Sequence, residues 1–226
     1  MKSSKNIYLF LVVAITYLIS GCNGSELYYS RSYINLYNLY DGISLRRSLN
    51  RSTKNIDLCI NVTHRISSQS EGADKEFYDR ICTEYGDTAY NQNIYLPNGI
   101  IYPMSDYPHI AVINVTSSED FDEAHPAGTS LNDVMSVIYS NIMEYVESGY
   151  TCTINNSKTK SLNELQPQDL AMSDGQLSLA FNKEPDELCI HTLTVECTTH
   201  TGEVMTAQIS YDFRLPEGFI GDYDNL

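Results

Sequence analysis

"ELCIHTLTVECTTHTGEVMTAQISYDF", residues 187–213, decides the fold. Its first arm places Cys189, His191, Leu193, Val195 and Cys197 on one side. Its second arm alternates Met205, Ala207, Ile209, Tyr211 and Phe213. A period of two marks a strand with one face buried, because successive side chains point to opposite faces. "HTGE", residues 200–203, supplies the turn, so the two arms read as a β-hairpin.

Upstream the same period recurs. "QLSLAFN", 176–182, alternates Leu177, Leu179 and Phe181, and "NIDLCINVTHRI", 55–66, alternates Ile56, Leu58, Ile60 and Val62. "IAVINVTS", 110–117, is rich in β-branched residues and reads as a buried strand. "NIYLPNGIIYPMSDYPH", 93–109, is broken by Pro97, Asn98-Gly99, Pro103 and Pro108, and reads as strand pieces joined by turns. "INLYNLYDGISL", 34–45, has the aliphatic and aromatic content of a short strand packed on the domain. Between these lies the polar stretch 67–87, in which Glu76, Phe77, Arg80 and Ile81 suggest a short helix or a loop excursion. Elsewhere the period changes: Leu131, Val134, Met135, Ile138, Ile142, Tyr145 and Val146 are spaced 3, 1, 3, 4, 3 and 1, one helical stripe, and Gly149 follows as a C-cap. The expected fold is β-rich (α+β), an antiparallel sandwich-like domain with one main amphipathic helix near 130–148.

The stretch before that helix, "DFDEAHPAGTSLNDV" at 120–134, admits two readings. Asp120, Asp122, Glu123 and His125 could ligate a weakly held cation, and alternating acids favour calcium. The glycine and the distal bidentate glutamate of a twelve-residue calcium loop are absent, and no second histidine is spaced for zinc. The folding reading accounts for more residues: "HPAG" turns, Thr129 or Ser130 caps the helix, and Asp133 completes a capping box after Ser130. No G-x-S-x-G elbow, phosphate loop or dinucleotide fingerprint occurs, and the five histidines are scattered. Beyond possible calcium, no cofactor is expected.

The N-terminus reads as a signal. Lys2 and Lys5 precede an apolar run from Ile7 to Ile19, shorter than the roughly 20 residues that span a bilayer. "ISGC", 19–22, resembles the lipobox of bacterial lipoproteins, which implies cleavage before Cys22 and acylation of its thiol and amine. The expected organisation is a signal peptide at 1–21, a lipidated Cys22 with a tether and N-terminal segment over 22–50, and a single β-rich domain over 51–226. Asn23, in place of the aspartate that retains such proteins at the inner membrane, favours the outer membrane. Losing residues 1–21 removes Lys2, Lys5 and no acid, so a net charge of −15 becomes −17. A chain this acidic is repelled by nucleic acid, and no basic patch offsets it.

Five cysteines remain: Cys59, Cys82, Cys152, Cys189 and Cys197. On one strand Cys189 and Cys197 stand about 26 Å apart, too far to bond, so any bridge reaches back to the other three. Tyrosine is abundant, 18 residues against no tryptophan, and is densest at Tyr28, Tyr29, Tyr33, Tyr37 and Tyr40. It suits strands, and equally a recognition surface or glycan stacking. "DTA", 87–89, is similar to the acceptor motif of Bacteroidetes O-glycosylation, which makes Thr88 a candidate site.

The lipobox, the acidic tyrosine-rich body and "HPAGTSLND", 125–133, after the strand "IAVINVTS" together resemble a family of uncharacterised Bacteroidetes lipoproteins built on a domain of unknown function. The resemblance implies source and location and carries no activity. The expectation is a lipid-anchored cell-envelope protein, a non-catalytic module that binds a glycan, an envelope protein or another envelope component. The alternative is a small envelope hydrolase using carboxylates.

Overall fold

The hairpin forms as read. Strands over Ile190–Thr199 and Val204–Asp212 pair antiparallel, with His191 opposite Tyr211, Leu193 opposite Ile209 and Cys197 opposite Met205. His191, Leu193, Val195 and Cys197 are all buried. Burying a leucine or valine side chain of this kind contributes about 1.5–3 kcal/mol.

The computed structural model describes residues 26–48, 55–96, 103–154, 157–173 and 177–214; Cys22 and the expected signal peptide at 1–21 lie outside the described residues. In chain order these carry β1 (Glu26–Ser30), β2 (Leu36–Arg47), β3 (Ile56–Ser67), α1 (Gly72–Glu84), β4 (Gln92–Leu96), β5 (Met104–Tyr107), β6 (Ile110–Ser117), β7 (Met135–Tyr139), α2 (Met143–Glu147), β8 (Lys158–Ser161), β9 (Leu177–Phe181), and the hairpin strands β10 and β11. A six-stranded sheet runs β5-β2-β3-β9-β7-β8, a three-stranded sheet runs β11-β10-β6, and β1 pairs with β4. All pairings are antiparallel except β2 with β5. The fold is thus β-rich and sandwich-like, of the α+β class.

Two cores follow from this layering. Ile56, Leu58, Val137 and Leu179 of the large sheet meet Ile113, Val115, Leu193, Val195 and Phe213 of the small one. On the second core, Tyr78, Ile81, Cys82 and Tyr85 of α1 and its end pack on Ile34, Tyr37 and Ile66. The same two strands serve both cores because β2 and β3 are out of register on either side of Tyr40. Each bulge re-aims the side chains that follow it. Their Ile43–Leu58 half therefore faces the small sheet, and their Tyr37–Ile66 half faces α1.

The main helix lies elsewhere than the spacing near 130–148 predicts. Within that span Met135–Tyr139 is strand β7, paired with both β8 and β9, and only Met143–Glu147 is helical. "MSVIY" is buried on both faces of an interior strand, so it shows no alternation and mimics a helical stripe. Two ladder partners then override the local pattern. Gly149 still ends the short helix, at φ +67°. The principal helix is α1, 13 residues in the stretch that gave only a weak signal. The N-terminal segment is also more ordered than a tether with a short strand: β2 is 12 residues long and lies inside the large sheet. β6 alternates rather than being buried throughout, with Val112 half exposed on the outer face. Cys59, Cys82, Cys152, Cys189 and Cys197 are all free thiols. Among the described residues no helix is long and apolar enough to cross a membrane.

Candidate functional site

The acidic stretch at 120–134 ties itself together. Asp120 accepts the Ala127 N–H at 2.7 Å. One oxygen of Asp122 accepts the N–H groups of Ala124 at 2.8 Å and His125 at 3.0 Å, and meets His125 Nδ1 at 2.7 Å. The Lys183 ammonium sits against its other oxygen. His125 Nε2 contacts Asp133 Oδ1 at 2.9 Å, while Glu123 is exposed. Lys183 holds the Asp122 carboxyl well below the usual carboxylate range, and Asp122 in turn raises His125. The result is a His125 ring bridging two carboxylates, with an ammonium behind. Asp120, Asp122, Glu123 and His125 do not converge on one point, and among the described residues no three His, Cys, Asp or Glu side chains are grouped to hold a metal.

The second half of that stretch does not cap a helix. Thr129 Oγ1 donates to Pro126 O, and Ser130 Oγ to Asn114 Oδ1. Residues 128–132 instead lie along the outer edge of β6. Gly128 N–H donates to Ser117 O and Leu131 N–H to Val115 O, both at 2.8 Å. Asn132 completes the ladder with its side chain: Oδ1 accepts Val115 N–H at 3.1 Å, and Nδ2 donates to Ile113 O at 2.8 Å. An edge strand with open backbone groups invites unwanted pairing, and this strap closes it.

A cleft of about 420 Å³ opens between β1 and one face of α1. Lys75, Tyr78, Asp79, Cys82 and Thr83 line it at helical spacing, so they share one stripe of α1. Tyr28, Tyr29, Ser30, Arg31 and Ser32 form the facing wall. Tyr29 is 55% exposed, and its hydroxyl donates to Asn91 Oδ1 at 3.1 Å. Thr88 is exposed at the rim, whereas its neighbour Asp87 is buried. At the floor, burial pushes the Cys82 thiol up to about 11, so it is not an activated nucleophile. The volume falls in the range of small-molecule sites.

Behind the rim stand four half-buried tyrosines. Tyr33 contacts Tyr90 and Tyr145 at centroid distances of 5.2 and 4.9 Å, and Tyr150 closes the ring at 5.3 and 5.6 Å to Tyr90 and Tyr145. Edge-to-face pairs of this kind add to the stability given by burial alone. Asp87 ties the ring to the helix end. It follows a Schellman motif in which Asp87 N–H donates to Cys82 O and Gly86 N–H to Thr83 O. Its carboxylate accepts Tyr33 N–H at 2.7 Å, Ile34 N–H at 2.8 Å and the Tyr150 hydroxyl at 2.8 Å.

Two histidine contacts were invisible in the sequence. His109 and His200 stack at 4.1 Å between ring centroids; His109 Nδ1 meets the Tyr85 hydroxyl at 2.8 Å, and His200 Nε2 meets Glu84 at 3.1 Å. Burial and the neighbouring His200 push His109 down to about 4. This seam joins the end of α1 to the β5–β6 and β10–β11 turns. Ser117 Oγ lies 2.7 Å from His191 Nδ1, but both residues are buried within the fold and present no surface to a substrate. Chain separations of 91 and 74 residues leave no local signal for either pair. Comparison of the chain with protein-family models, with curated proteins and with solved structures finds no match.

Proposed function

We propose that this chain is a lipid-anchored protein of the bacterial outer membrane, held by acylated Cys22, whose β-rich domain binds a glycan or another envelope component without catalysis. The cleft between β1 and α1 carries the reading. It is lined by tyrosines and by hydroxyl-bearing Ser and Thr side chains, the combination that sugar rings and their hydroxyls require. Its location supports the same view, since β1 begins at Glu26, four residues after the candidate lipidated cysteine. A hydrolase acting by paired carboxylates needs two acids about 5–10 Å apart. The described cleft lining offers one, Asp79.

Two measurements test the proposal. In a Gram-negative host, Cys22→Ser moves the protein from the membrane fraction to the soluble one; a variant that stays with membranes removes the anchor. On an array of bacterial-envelope and other polysaccharides, the full-length protein retains at least one glycan and Tyr29→Ala loses it. An array with no retained glycan removes the sugar-binding part.

A further inference from the structure

The charge inside the cleft runs against the charge of the chain. The sequence carries −15 overall, yet the described lining holds two cationic side chains, Arg31 and Lys75, against the single carboxylate of Asp79. Lys75 is already engaged: its Nζ donates to Asp79 at 2.5 Å and lies 5.4 Å from the Tyr78 ring centroid. Arg31 is exposed and makes no ion pair among the described residues. An exposed arginine lining the same cleft as Tyr28 and Tyr29, in a protein with twice as many acids as bases, can receive a ligand's negative charge.

We propose that the cleft binds an acidic sugar, a uronic acid whose carboxylate pairs with Arg31. The inference rests on the cleft being the binding site and adds the class of ligand. Arg31 matches a carboxylate with two parallel N–H donors in a fixed fork. Tyr29 offers its ring to the apolar face of the sugar, and its bond to Asn91 fixes that ring before the ligand arrives. Thr83 on the opposite wall and Thr88 at the rim stand to meet ring hydroxyls. A carboxylate suits the site better than a phosphate. One unpaired cation balances a single charge, whereas a phosphate monoester carries about −1.5 to −2.

The test uses the full-length lipidated protein in detergent micelles. Oligomers of galacturonic, glucuronic and mannuronic acid are titrated calorimetrically beside their methyl esters, which keep the ring and lose the charge. The acid form of at least one oligomer binds tenfold or more tighter than its ester. Arg31→Ala removes that preference, Arg31→Lys keeps part of it, and both variants unfold at the parent temperature because Arg31 is exposed. Equal binding of acid and ester overturns the acidic-sugar proposal and leaves the cleft as a neutral-glycan site. Displacement of the uronate by an equimolar amount of inorganic phosphate also overturns it. Binding of neither form of any oligomer overturns this proposal, and the polysaccharide array then decides the broader reading.

Discussion

The buried carboxylate of Asp87 receives the Tyr150 hydroxyl at 2.8 Å across 63 positions of chain. The same group accepts the N–H donors of Tyr33 and Ile34, so one side chain fastens the end of α1 to the start of β2 and to the segment after α2. Burial raises the Asp87 pKa, and the three donors pull against that effect. A buried donor that loses its acceptor costs about 1–3 kcal/mol. Asp87→Ala, which strands the Ile34 N–H, is therefore expected to lower stability by about 3 kcal/mol in urea unfolding. Tyr150→Phe, which removes one donor and keeps the ring, costs about 1 kcal/mol. Equal effects of the two variants would contradict this division of roles.

Tyr37 makes the opposite prediction. Its ring is fully buried against Tyr78 and Tyr85, but its hydroxyl has no hydrogen-bond partner. Deleting an unpaired buried polar group while keeping the ring removes a desolvation penalty. Tyr37→Phe should stabilise the protein by about 1 kcal/mol in the same assay. A loss of stability would mean that the hydroxyl is satisfied in solution.

The contrast between β7 and β10 explains what the sequence made legible. β10 has one face to the core and one to solvent, so its alternation is visible and its inward residues are all buried. β7 is buried on both faces, so its five residues carry no alternation to separate strand from helix. Gly149 remained readable because a left-handed C-cap depends on its own backbone and not on what precedes it. α1 was faint because few of its side chains are buried. Lys75, Asp79 and Thr83 face the cleft, so only Tyr78, Ile81 and Cys82 are buried along its 13 residues. The tyrosine-rich wall at Tyr28 and Tyr29 was legible, but the facing helix lies more than 40 residues away, and no local pattern joins them.

Asn132 offers a test of the strap along β6. Its amide imitates one residue of a strand, accepting from Val115 N–H and donating to Ile113 O. Asn132→Ala leaves both groups of β6 without partners. A loss of about 2 kcal/mol is expected, together with concentration-dependent self-association through the opened edge. Asn132→Asp keeps the acceptor but sets a carboxylate against the Ile113 carbonyl, so it should be no better than alanine. A monomeric Asn132→Ala of parental stability would show that the strap is dispensable.

His125 links the same loop to pH. Its folded pKa is raised above about 6.5, chiefly by Asp122 and further by Asp133, so its contribution to stability is fully present below about pH 6.5. That contribution is lost as pH rises through the folded value. Asp122 acts in the other direction. Its folded pKa is depressed, first by Lys183, so its contribution is present above about pH 4 and is lost only as pH falls well below that. The loop is therefore held best between about pH 4 and 6.5 and loosens on the alkaline side. In an NMR titration His125 should titrate above 6.5, and Asp122→Asn should return it towards that value. Lys183→Met should move the Asp122 carboxyl up towards the ordinary range while leaving the His125 pKa raised, because Asp122 and Asp133 remain beside it. If His125 titrates at or below 6.5 in the parent protein, the imidazolium bridge between Asp122 and Asp133 does not form in solution.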